Sequence, residues 1–336
     1  MIASDLVRVG LALGMLAVHS KATVWLGIAC LAGISTFSAF FQPASGAALP
    51  NLVSLEELAP AQALMGASWG SMAIGAALGG VVASVFGRPT AFIVNAASFL
   101  LSGILIALVK GRFAEDRDHT RELRPIRDLV EGFSYARSDR RIVALLATKG
   151  GFGLGVGVVS LLSIFATKVF KAGDIGIGVL FAARGLGALL GPFMARAIVK
   201  TDFRRLILAI GVSMGVYGVA YLVFPAMPVI ALAAALAAIA HLGGGAQWLL
   251  SSYGLQVITP DGLRGRILAL DLGLVSLTMS ISAFTAGWLA DRFGPRPVMA
   301  GLALVEIAYA LVWTFFTRSL WRKPISPPTE LAGETA

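Results

Sequence analysis

The chain has 336 residues, of which 57% are hydrophobic and only 13% charged, with a formal net charge of +9 and a mean hydropathy of +0.83. A soluble globular chain carries about 25% charged residues, so this composition is that of a polytopic membrane protein, built from apolar runs long enough to cross a bilayer. The single cysteine, Cys30, excludes an intrachain disulfide and a cysteine-based metal cluster.

Ten helices are predicted in chain order, at about 2–18, 24–48, 61–86, 90–109, 142–167, 175–198, 206–224, 228–256, 267–290 and 297–317. The first is not expected to be a signal peptide, because Asp5 precedes Arg8 and no convincing small-residue cleavage site follows before the next apolar run. After the fourth comes a polar segment, Lys110 to Arg141, rich in charges of both signs. Within it Ile126, Leu129, Val130 and Phe133 share one helical face, the spacing of a helix lying in the membrane interface. The chain therefore divides into an N-terminal bundle (1–110), a linker with an interfacial helix (111–141), a C-terminal bundle (142–317) and a tail (318–336).

Lysine and arginine set the orientation. With the 110–141 segment on side one, that side carries 18 of the 27 basic residues and the other side 6, while Arg8, Lys149 and Arg184 lie within helices. The bias makes side one cytoplasmic, with both termini inside. The positive charge is then a topology signal and implies no nucleic-acid partner.

The sequence repeats itself. "SDLVR" at Ser4 is echoed by "TDFRR" at Thr201, "LPNLVSLEEL" at Leu49 holds the place of "TPDGLRGR" at Thr259, and "GGVVASVFGRP" at Gly79 is echoed by "AGWLADRFGPRP" at Ala286. The offsets are 197, 210 and 207–208, in the same order. Parallel repeats joined by a long loop are an architecture of secondary transporters.

The quoted motifs, with "FQPASGAALPNLV" (Phe41–Val53), "AFIVNAASFL" (Ala91–Leu100), "GVLFAARGLGALLGP" (Gly178–Pro192) and "TPDGLRGRILALD" (Thr259–Asp271), resemble the major facilitator superfamily. They are most similar to its drug:proton antiporter branch, which includes siderophore and macrolide exporters. The resemblance implies an all-α membrane protein of the major facilitator fold, with four helices in the N-terminal half and six in the C-terminal half. These correspond to the third to twelfth of the family's twelve, so Met1 is expected to be an internal methionine of an N-terminally incomplete fold. Gly75-Ala76 stands where the branch usually has Gly-Pro.

By that architecture the second, fifth and eighth helices line a cavity, which places Gln42, Lys149, His241, Gln247 and Trp248 in the substrate pathway, with Arg184 on the sixth helix. For His241 a hydrogen-bonded packing role is an equal alternative. Asp271 and Glu306 are the candidates for proton coupling. Asp5 with Arg8, Asp202 with Arg205, and Arg264 and Arg266 read either as a cytoplasmic gate or as helix caps. Gly66, Gly70, Gly75, Gly79, Gly187 and Gly191 recur at spacings of four to five, fit for close helix packing. The first four lie on the third predicted helix and the last two on the sixth, and in the resembled fold those two helices pack across the boundary between halves.

The expected function is proton-coupled export of small amphipathic molecules, drugs or siderophore-like metabolites, by alternating access in the plasma membrane. The alternative is a non-transporting membrane remnant or scaffold. Neither enzymatic activity, cofactor nor metal is expected, and the chain is taken as a monomer in the lipid bilayer. Lys149 and Arg184, read as deep cations without a near acid, favour an acidic or phenolic substrate.

Overall fold

The computed structural model describes residues 1–53, 75, 78–110, 125–199 and 203–320. Every regular element among them is helical, and eight helices are long and apolar enough to cross a membrane. The described residues 1–53 and 78–110 form one compact unit, and those from 125 onward, with Gly75, another.

In the first unit α1 (Ile2–Gly14) packs on α2 (Val24–Leu52) and α4 (Arg88–Leu108); α3 covers 78–85. Asp5 and Arg8 lie one helical turn apart and form a buried ion pair. Asp5 also accepts from Ser102 Oγ of α4 at 2.9 Å, and Arg8 reaches Ser38 Oγ of α2 at 3.4 Å. The guanidinium lies 4.6 and 4.7 Å from the ring centroids of Phe41 and Phe99. Both oxygens of Asp5 are thus engaged by side chains, and the pair ties three helices together inside the unit.

The last of the paired sequence motifs is a repeated backbone conformation. Gly87 enters α4 at φ +85°, ψ 157°, and Gly294 enters the last long helix at φ +84°, ψ 161°, each with proline in the first turn that follows. Only glycine adopts this region without strain.

The second unit opens with a helix, α5 (Pro125–Ser138), in the segment where an interfacial helix is expected. Its Val130 and Phe133 remain exposed, while Arg266 joins it to the bundle through Glu131 at 2.9 Å. The fifth predicted span is not one continuous helix. It consists of α6 (Arg140–Gly155), a turn, α7 (Val158–Ile164) and a π-helical turn (Phe165–Val169). The break falls in a glycine run that lies against a neighbouring helix, α11 (Asp261–Phe293). A Cβ on Gly153 would collide with Thr278, and one on Gly157 with the Ser282 backbone. Ser282 Oγ accepts from the Gly157 N–H at 3.0 Å and donates to the Leu154 carbonyl, so one hydroxyl satisfies both sides of the interrupted ladder.

The remaining helices are α8 (Gly173–Val199), α9 (Phe203–Val223), α10 (Ile230–Ile258) and α12 (Pro295–Thr317). α8 and α10 make the closest pair. A Cβ on Gly187 would strike the carbonyl of Ala238, and one on Gly191 that of Leu242. These glycines therefore serve a contact within the second unit, where the sequence had suggested the boundary between halves. No described atom lies within 4 Å of a Cβ built on Gly75 or Gly79. Gly66 and Gly70 lie outside the described residues.

Candidate functional site

Two apolar clusters fill the second unit, one around Phe152, Phe165 and Phe224, the other around Leu145, Leu206 and Leu250. Lys149 stands on α6 between Leu145 and Phe152, where an apolar residue would be the default. It is 2% exposed. Its Nζ donates to Asp271 Oδ2 of α11 at 2.7 Å and to Ser252 Oγ of α10 at 2.9 Å. The same ammonium lies 4.1 Å from the centroid of the Trp248 ring. Three helices thus converge on one buried charge pair, satisfied on one side by a hydroxyl and on another by an aromatic face. Asp271 Oδ1 has no hydrogen-bond partner among the described residues.

This geometry corrects the expectation that Lys149 has no near acid. Asp271 neutralises it, and the case for an anionic substrate loses its premise.

Trp248 continues into an aromatic chain. Its ring meets Phe152 edge-on at 5.8 Å, Phe152 meets Tyr217 at 5.6 Å, and Tyr217 meets Tyr221 at 5.0 Å. His241 shares a hydrogen bond of 3.0 Å with Tyr221 Oη and packs edge-on against both tyrosines, so its place in this structure is a buried packing position. Gln247 is also buried, and neither atom of its amide has a hydrogen-bond partner among the described residues.

Glu306 on α12 is fully buried and faces Gly155 so closely that a Cβ there would lie 2.5 Å from Oε2. Neither carboxyl oxygen has a hydrogen-bond partner among the described residues. The carboxyl thus points at the break between α6 and α7. Arg184 is half-buried on α8, 6.0 Å from the Phe181 ring centroid.

The other candidates separate by role. Arg264 donates to the carbonyls of Gln256 and Thr259 at 3.1 and 3.4 Å and so caps the C-terminal end of α10. Arg266 holds α5, as described. Arg205 lies in the first turn of α9, whereas Asp202 and the side chain of Gln42 lie outside what is described. Ser252 was missed by sequence reasoning, although it follows Trp248 by one helical turn and so shares its face.

A family profile described as "Transmembrane secretion effector" matches residues 1–323. Macrolide efflux protein A of Streptococcus pyogenes is 24% identical over 324 residues, spanning 92% of this chain and 78% of that protein. The fold is similar to that of a bacterial homologue of the human lysosomal transporter Spinster. The inward-facing, unoccupied form of that homologue superposes with a TM-score of 0.69 at 16% identity, over 97% of this chain and 84% of that one. Its inward-facing, occupied form gives 0.68 at 14% identity, over 97% and 83%.

Proposed function

Because the chain belongs to the transmembrane secretion effector family of the major facilitator superfamily, whose members are multi-pass membrane transporters and not enzymes, we propose that it exports small amphipathic molecules by proton-coupled alternating access. The observation that carries this reading is the Lys149–Asp271 pair, buried where α6, α10 and α11 meet and bordered by Trp248. Ionisable groups at membrane depth are costly and mark ion or substrate pathways.

Magnitudes support the assignment. Disrupting a buried pair by removing one charge costs about 3–5 kcal/mol. One proton moving down a membrane potential releases about 2.3 kcal/mol per 100 mV. The two are of one order, so proton binding at Asp271, which frees Lys149, is a step that a membrane potential can drive. Glu306, with no donor to either oxygen among the described residues, is the second acid on this path. Trp248 and Phe152 offer an apolar face beside the polar pair, which suits an amphipathic substrate. Under this reading both termini are cytoplasmic and the working unit is a monomer.

The macrolide efflux relative selects the first probe. Purified protein in liposomes with an imposed proton gradient should move a macrolide or an amphipathic dye, and a protonophore should abolish that movement. Asp271→Asn should abolish gradient-driven transport while leaving substrate binding measurable by tryptophan fluorescence. Transport indifferent to both the protonophore and Asp271→Asn overturns the coupling, and absence of transport for every amphipathic probe overturns export.

A further inference from the structure

α9 and α12 leave an open groove between them, of about 380 Å³. Gly211 and Gly215 form its floor, Ile307, Leu311 and Phe315 its wall, and Arg318 closes one end. The wall is exposed and apolar: Leu311 is 68% exposed and Phe315 55%. A Cβ on Gly215 would meet nothing within 4 Å, whereas one on Gly211 would press on Thr314. Arg318 stands just past the C-terminal end of α12, its guanidinium 4.1 Å from the Phe315 ring centroid. It forms no ion pair among the described residues.

We propose that this groove binds an acidic phospholipid of the leaflet at the C-terminal end of α12, with an acyl chain along Gly215 and Leu311 and the phosphate on Arg318. The chemistry divides at the right place. An apolar trench at membrane depth takes a hydrocarbon chain, and a single cation at its membrane-surface end takes an anionic headgroup. The ring of Phe315 holds the cation beside the trench. A second copy of the chain fits less well: a two-fold axis along the membrane normal would set two Arg318 side chains at one depth, like charge facing like.

Native mass spectrometry of the full chain, released from detergent after incubation with phosphatidylglycerol or phosphatidylcholine, tests the site. The unaltered protein should retain phosphatidylglycerol about fivefold better than phosphatidylcholine, the worth of one basic residue at a membrane surface. Arg318→Gln should erase that preference and leave weak, equal retention of the two lipids. Gly215→Leu should remove retention of both, with the melting temperature unchanged because the added side chain enters open space. Equal retention of the two lipids by the unaltered protein overturns the proposal, as does retention unaffected by Gly215→Leu. Displacement of phosphatidylglycerol by millimolar inorganic phosphate would show a plain anion site and also overturns it. A lipid-free dimer that Gly215→Leu dissociates would show that a second copy, not a lipid, occupies the groove.

Discussion

Lys149 and Asp271 lie 122 positions apart in the chain, yet their side chains meet at 2.7 Å inside the second unit. Neither helix tolerates its charge alone, because the surroundings are Leu145, Phe152 and Trp248 rather than water. The pair must therefore be lost or kept together. Lys149→Met or Asp271→Leu alone should each lower unfolding stability in detergent by about 3–5 kcal/mol, and the two together should recover most of it. A double-mutant cycle by denaturant unfolding checks this. Strictly additive losses would mean that the two groups do not interact.

The α8–α10 contact makes a sharper demand. Gly187→Val or Gly191→Val would drive a side chain into a backbone carbonyl, which cannot move as a side chain can. Each should cost upwards of about 3 kcal/mol, beyond ordinary overpacking, and reduce the yield of monodisperse protein on gel filtration. Gly301→Ala on α12, where a Cβ would meet nothing, should be silent in the same assay.

Ser282 bridges the break in the fifth span from outside it. Ser282→Ala should leave the Gly157 N–H and the Leu154 carbonyl unsatisfied in a dry environment, a loss of about 1–3 kcal/mol for an orphaned group. Hydrogen exchange at Gly157 and its neighbours should accelerate in this variant while exchange in α10 does not. Unchanged exchange at Gly157 would remove the bridging role.

Topology is testable by cysteine labelling in a Cys30→Ser background. Single cysteines at Arg124 and Lys323 should react only from the cytoplasm, and those at Lys171 and Arg296 only from outside. Gly294 is unsuitable for such a probe, because a cysteine at φ +84° would strain the corner it reports on. Labelling of Arg124 from outside would invert the assignment.

Hydropathy and punctuation made much of the fold legible. Eight of the ten apolar runs fall on helices long enough to cross, whereas the first is a helix of 13 residues and most of 61–86 lies outside the described residues; the recurrence of Phe-Gly near Arg-Pro marks both corners, and the spacing of Ile126, Leu129, Val130 and Phe133 marks α5. The site was legible only one helix at a time. Lys149, Trp248 and Asp271 were each singled out for depth or chemistry, but a pairing across 122 residues leaves no periodic trace in a single sequence. The same limit applies to Asp5, whose partner Ser102 lies on α4, and to Glu306, whose inward aim depends on which side of α12 Gly155 meets. The helix break was hidden for another reason. A run of glycines reads as a small-residue packing face, and whether it stays helical depends on Ser282, which lies in a distant helix.

The corner at Gly294 bears on how the chain enters the bilayer. A single residue separates α11 from α12, so neither helix can wait on the far side for the other. With both termini cytoplasmic, as proposed above, the two would cross as a closed hairpin, carrying Asp291, Arg292 and Arg296 through the hydrocarbon together. Arg292, stacked 3.8 Å from the centroid of the Trp288 ring, crosses with part of its hydration replaced by an indole. The corner also offers no slack on that face of the membrane for a protease, an antibody or an inserted tag to grasp.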